Sequence, residues 1–206
     1  MKKIYAVISG KGGVGKTTSA INIGASMNHH GKDVVIVDGN LTTPNVGVHL
    51  GAPIVPVTLN HVIKGQAKIE DAIYEHESGT KIMPSSLSLK EAEKINYKKI
   101  PKITDKLKDL TDYVILDSAA GLGQEAKAAI DSSDEIIIVA NPEIASITDA
   151  LKTIKLAEEK GKKIKGILLT RCRGKKPDMT AADIKDMLEH PVIGAIPEDI
   201  AVKHSQ

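Results

Sequence analysis

The sequence predicts an α/β fold of three layers, with a mostly parallel central sheet flanked by helices on both faces. Strand signals alternate with helical ones along the whole chain, the pattern of successive βαβ units. The strand candidates are apolar runs rich in β-branched residues, such as Val34-Val35-Ile36-Val37 and Glu135 to Ala140, which suits strands buried on both sides. A glycine-rich turn from Gly10 to Gly15 follows the first strand candidate, at the kind of strand end where open α/β sheets bind ligands.

Bulk properties narrow the class. A chain of 206 residues fits one large domain, residues 1–206, and no linker, repeat or low-complexity segment divides it. Phe and Trp are absent and aromatics make up only 2%, so Ile, Val, Leu and Ala must fill the core. A net charge of +2 is no strong argument for nucleic acid. The single cysteine, Cys172, excludes an intramolecular disulfide framework and suits a reducing compartment. No apolar run approaches a membrane span, and Met1-Lys2-Lys3 leads straight into a strand. The expectation is a soluble cytoplasmic protein.

The first strand candidate runs from Ile4 to Ser9. The loop after it carries the full phosphate-loop pattern, Gly10, four residues, then Gly15-Lys16-Thr17. Phosphate oxygens need several donors converging from one side. Backbone N–H groups across Gly10, Lys11, Gly12, Gly13, Val14, Gly15, Lys16, Thr17 and Thr18 supply them, and the following helix N-terminus adds a favourable dipole. Lys16 would reach the terminal phosphates and the Thr17 hydroxyl would hold Mg²⁺. The helical pattern Ile21, Ile23, Ala25, Met27 follows, with Gly31 closing it. His29 and His30 have no Cys or acidic partner at ligand spacing and read as a solvated helix end.

The run Lys11-Gly12-Gly13-Val14-Gly15-Lys16-Thr17-Thr18, with its second lysine at Lys11, resembles the deviant phosphate loop of the MinD/ParA family of dimeric ATPases. The resemblance extends from Lys2 to Asp199. It implies a P-loop NTPase fold of the SIMIBI/MinD-like type, binding of ATP and ADP with Mg²⁺, and a homodimer bridged by ATP. In that family the extra lysine, here Lys11, reaches the nucleotide of the partner subunit.

Further along, Val34 to Val37 reads as a buried strand with Asp38 at its tip, and Gly39 to Asn45 as a polar loop. By resemblance this loop is switch I, and Asp38 helps hold the Mg²⁺ shell. The family commonly carries aspartate two residues on to position the attacking water; Asn40 stands there, which implies slow hydrolysis. From Gly51 to Tyr97 the sequence says least. Pro53 to Thr58 reads as extended, Leu59–Ile63 and Ile69–Ile73 as short helices, and Lys81 to Pro84 as a strand. The lysines between Lys90 and Lys108 alternate with Ile100, Ile103, Leu107 and Leu110 at helical spacing, so they read as a solvated helix face rather than a nucleic-acid contact.

Tyr113 to Asp117 is an apolar strand ending in the second carboxylate that a phosphate-loop site needs near Mg²⁺. By resemblance Ser118 to Gly121 is switch II, with the Gly121 amide sensing the γ-phosphate. The strand Glu135 to Ala140, Asn141-Pro142-Glu143 and a helix from about Ser146 to Lys160 follow, with Gly161 as its stop. The strand Ile164 to Thr170 leads to Arg171-Cys172-Arg173-Gly174-Lys175-Lys176. No Asn/Thr-Lys-x-Asp guanine signature stands at that strand end, which favours adenine. A helix from Ala181 to Leu188 precedes Val192 to Asp199, where Pro197 and Glu198 resemble the family's adenine-side loop, with Arg171 opposite.

The function this predicts is an ATP-dependent dimerisation switch with slow ATP hydrolysis, placing division or segregation machinery through a protein partner. The alternatives are a metal or iron–sulfur cluster assembly ATPase, for which one cysteine per chain is poor provision, a nucleotide-binding regulator with little catalysis, and a phosphoryl-transferring biosynthetic enzyme. MinD relatives continue into a C-terminal extension with a basic amphipathic membrane helix. None is evident here, so membrane binding by this chain is not expected.

Overall fold

The computed structural model describes residues 2–52, 54–175 and 177–204. Pro53 of the expected extended piece and Lys176 of the basic run lie outside them, as do Met1, Ser205 and Gln206.

The β-branched runs form strands because their side chains pack on both faces of one sheet. The strands are β1 (Lys3–Ile8), β2 (Val34–Asp38), β3 (Tyr74–Glu75), β4 (Lys81–Met83), β5 (Tyr113–Asp117), β6 (Glu135–Ala140), β7 (Lys163–Cys172) and β8 (Val192–Pro197). They assemble in the order β3-β4-β2-β5-β1-β6-β7-β8. Every pairing is parallel except β3 with β4. Side chains alternate between two cores: Ile4, Ala6, Val35, Val37, Val114 and Leu116 enter one, while Val7, Val34, Ile36 and Ile115 enter the other. Each fully buried aliphatic side chain contributes about 1.5–3 kcal/mol, so a core without Phe or Trp is sustained by number.

Helix α1 (Lys16–His29) covers the second face through Ala20 and Ile21. It closes tightly on β2, since a Cβ at Gly24 would lie 2.6 Å from Ile36 Cγ1. It ends in a Schellman turn, with Gly31 at φ +73° and Lys32 N–H donating to the Met27 carbonyl. Two short helices follow, α2 (Val46–His49) and α3 (Leu59–Lys64), then α4 (Leu89–Ala92). The first face is covered by α5 (Ile100–Leu107), α6 (Gln124–Ser132), α7 (Ile144–Glu159) and α8 (Ala181–Leu188). A last short helix, α9, spans Ala201–His204. Among the described residues no helix is long and apolar enough to cross a membrane.

The middle of the chain departs from expectation. The helix expected over Ile69–Ile73 is a 3₁₀ turn, Glu70–Ala72, because the chain extends at once into the antiparallel strand β3. The lysine-rich pattern is not one helix. It breaks after α4 into a 3₁₀ turn at Tyr97–Lys99 before α5, with Asn96 capping that turn and Pro101 near the start of α5. Helices α2 and α6 and strand β3 are not among the elements expected from the sequence. The strand order positions the site: β1 lies between β5 and β6, so connections leave it in both directions and a crevice opens at the strand tips.

Candidate functional site

The loop after β1 sits in that crevice. Gly10 packs against α7, where a side chain would collide with the Asp149 carbonyl. Gly13 and Gly15 take φ of +75° and +85°, left-handed conformations that favour glycine. Ser9 Oγ donates to the Lys11 carbonyl at 3.0 Å. From β7, the Thr170 hydroxyl donates to the Val14 carbonyl at 2.5 Å, anchoring the loop from outside.

Lys16 and Thr17 open α1 and converge on the tip of β5. The Lys16 ammonium lies 2.7 Å from Asp117 Oδ1, and Thr17 Oγ1 donates to Oδ2 at 2.6 Å. Asp38 stands beside Asp117 in the β2–β5 register and is likewise fully buried. It accepts the backbone N–H groups of Asn40, Asn45 and Val46 at 3.1, 2.9 and 2.9 Å. Burial and then the neighbouring Asp117 charge push its carboxyl up to about 7, against the pull of those three N–H bonds. A Cβ at Gly39 would lie 2.8 Å from the Asp117 carbonyl oxygen, so glycine there lets the two strand tips approach.

These groups enclose a cleft of about 620 Å³ whose walls include Gly12, Gly13, Gly15, Lys16, Thr17 and Thr18 on one side. Asn40, Thr42, Thr43 and Glu125 form the other. Gly10, Val14, Asp38 and Asp117 do not line the cleft. A second hollow of about 380 Å³ shares Gly15, Thr18 and Arg171 with the first and is closed by Ile196, Pro197 and Glu198. The two adjoin through those shared residues, and each is in the size range of small-molecule sites. Arg171, at φ +53°, borders both, but Arg173 carries the ion pairs nearby, with Glu143 at 2.9 Å and Asp178 at 3.3 Å.

Three expected site residues are placed less simply. Lys11 is exposed outside the cleft, and its ammonium has no ion-pair partner among the described residues. The Gly121 N–H, expected to sense phosphate, donates to the Ser9 carbonyl at 3.0 Å. Asn40 is nearly buried, and its amide is engaged within its own loop. Nδ2 donates to the Thr43 carbonyl at 2.5 Å, while Oδ1 accepts the Thr43 N–H at 3.3 Å and its hydroxyl at 3.1 Å.

Sequence reasoning missed several supports. Glu125 Oε1 accepts both the N–H and the hydroxyl of Thr42, at 2.9 and 2.8 Å, tying the loop after β2 to the start of α6. Ser85 Oγ donates to the Asp38 carbonyl at 2.6 Å. Thr170 and Ser85 carry no local signal; Glu125 offers only its place as an acid in a first helical turn. Among the described residues no group of three or more His, Cys, Asp and Glu gathers as a metal-holding set. One hydroxyl and two carboxylates, all hard oxygen donors, fit Mg²⁺ that takes its remaining oxygens from phosphates and water.

The AAA domain family matches residues 2–166. An uncharacterized ATP-binding protein of Methanocaldococcus jannaschii is 38% identical over 198 residues, covering 96% of this chain and 75% of that protein. The septum site-determining protein MinD of Pyrococcus horikoshii, solved with Mg-ADP, superposes with a TM-score of 0.95 at 34% identity, covering 100% of this chain and 85% of that one. A chain of the MinC:MinD cell division protein complex of Aquifex aeolicus gives a TM-score of 0.89 at 29% identity, covering 98% of this chain and 84% of that one.

Proposed function

The chain belongs to the MinD/ParA family of P-loop ATPases, and from that premise we propose that it is a single-domain, cytoplasmic ATP-dependent dimerisation switch. ATP bridges two copies, slow hydrolysis releases them, and a partner protein reads the state in placing division or segregation machinery. The observation that carries this reading is the exposed Lys11 ammonium, without an ion-pair partner among the described residues, beside a cleft that already has Lys16. A second cation outside the cleft suits the phosphates of a facing subunit, where charge-assisted bonds are strong. The solved MinC:MinD complex and the Mg-ADP complex of relatives support the same reading.

Within the cleft the loop N–H groups and Lys16 would bind the phosphates of ATP. Thr17, Asp38 and Asp117 would hold Mg²⁺, whose chemistry is to neutralise charge on the phosphate oxygens. The second hollow, with Pro197 and Glu198, would take the adenine. Asn40 would orient the attacking water only by leaving Thr43, which supports slow turnover. Burial pushes the Cys172 thiol up, away from the thiolate that cluster carriers need, which disfavours the iron–sulfur alternative. The test is molecular mass in solution. A monomer with ADP and a dimer with a non-hydrolysable ATP analogue are expected; equal masses in both would overturn the switch.

A further inference from the structure

The lysine-rich stretch builds a second cleft, away from the strand tips. It lies where α5 meets the end of α3 and the 3₁₀ turn, and at about 610 Å³ it matches the candidate site in size. Its floor is aliphatic, with Val62, Ile69, Ile103 and Leu110. Its rim carries Lys68 from one segment and Lys102 and Lys106 from α5. The last two are four residues apart and so stand on one helix face, roughly 5–6 Å from each other. A hollow of about 240 Å³ shares Glu70 and Leu110 and prolongs the cleft toward Val35 and Lys81.

The charges on this rim are unspent. Lys108, just beyond α5, pairs with Asp105 and Asp134, and Lys99 donates to the Ile63 carbonyl at 2.7 Å. By contrast, Lys68, Lys102 and Lys106 are exposed, and their ammoniums have no ion-pair partner among the described residues. Glu70 and Asp109 also border the cleft, so lysines outnumber carboxylates by four to two. Leu110 remains 39% exposed at the floor.

We propose that this cleft docks an acidic amphipathic helix of a partner protein. Aliphatic side chains at helical spacing would cover Ile69, Ile103 and Leu110, and carboxylates one turn apart would meet Lys102 and Lys106, with Lys68 opposite. Charge and shape together select this occupant. A nucleic-acid backbone would satisfy the lysines but leave the apolar floor unmatched, and no aromatic ring lines the cleft for base stacking. A flat anionic bilayer meets a convex basic face better than a concave one. The cleft lies off the Asp38 and Asp117 tips, toward the start of β2, so docking does not compete for the phosphate loop.

The probe is a fluorescein-labelled 16-residue helical peptide with leucine at positions i, i+3, i+7 and glutamate on the flanking positions. Its counterpart replaces each glutamate by lysine. Saturable binding of the acidic peptide to the wild-type protein is expected, weakened at least ~tenfold in the Lys102→Glu/Lys106→Glu variant and in Leu110→Ser. Hydrogen exchange should slow over residues 62–70 and 99–110, and Mg-ATP affinity should stay unchanged in both variants. The proposal fails if the acidic peptide does not saturate, if the lysine peptide binds equally, or if the charge-reversed protein binds as well as wild type. It also fails if protection appears elsewhere, or if a 20-nucleotide single strand or phosphatidylserine vesicles displace the peptide from this cleft.

Discussion

The Lys16 ammonium lies 2.7 Å from the carboxylate of Asp117, a fully buried side chain 101 residues further along the chain. The cation that would meet phosphate is thus held by one of the acids that would hold Mg²⁺. Lys16→Ala removes the positive charge that would meet phosphate and leaves buried Asp117 with Thr17 as its remaining side-chain partner among the described residues. The expected cost to folding is roughly 3 kcal/mol, the low end for breaking a buried pair. Nucleotide affinity is expected to fall at least ~tenfold beyond that. Denaturant unfolding and titration calorimetry with Mg-ATP read the two effects separately; wild-type affinity in calorimetry would remove Lys16 from the site.

Asp38 gives the site a pH dependence. Its carboxyl is pushed up to about 7 in the fold, whereas an unfolded aspartate titrates near ~4. A raised acid means that the folded protein holds a proton the unfolded chain has lost. Its contribution to stability therefore falls as pH rises between those two values and is level above them. A cation bound at Asp38 favours the carboxylate, so Mg-nucleotide binding near pH 6.5 should release a proton, and affinity should rise toward pH 8. Calorimetry in buffers of different ionisation enthalpy measures that release, and Asp38→Asn should abolish it.

Thr170 holds the phosphate loop from β7 and also lines the second hollow. Thr170→Val leaves the Val14 carbonyl without its donor while keeping the side chain's shape. An unsatisfied buried carbonyl costs about 1–3 kcal/mol. Nucleotide affinity should fall by roughly 5–100-fold, as measured by fluorescence titration, with no change in the purely phosphate-contacting residues.

Asn40→Asp is expected to raise single-turnover ATP hydrolysis at least ~tenfold, a part of the ~10²–10⁴-fold that general-base assistance supplies, since the amide already orients water in some measure. The carboxylate would face the Thr43 carbonyl that Nδ2 now donates to, and that repulsion would free it from the loop. An unchanged or lower rate would place the water elsewhere.

The phosphate loop was legible because its chemistry is local: glycines at left-handed positions and Lys16-Thr17 are read from consecutive residues. Asp38 and Asp117 were legible as acids ending apolar runs. The Thr170 and Glu125 contacts were not, since they join segments 156 and 83 residues apart. Helix α6 escaped because Gln124–Ser132 is alanine-rich, with Ile130 its only large apolar residue. Strand β3 has two residues and depends on its partner β4 for definition. The division of the lysine-rich stretch followed from Asn96 and Pro101, whose effects periodicity does not weigh.

Lys11 offers the most direct measurement. Its ammonium makes no ion pair among the described residues and lies outside the cleft, so removing it should spare binding within one subunit. The measurement is the dimer dissociation constant of wild type and Lys11→Ala by light scattering, with a non-hydrolysable ATP analogue and Mg²⁺ at saturation. A wild-type dimer is expected, with Lys11→Ala at least ~tenfold weaker, the loss of one charge-assisted bond or more. A Lys11→Ala dimer as stable as wild type, at equal nucleotide occupancy, would contradict a cross-subunit role for this lysine and the switch built on it.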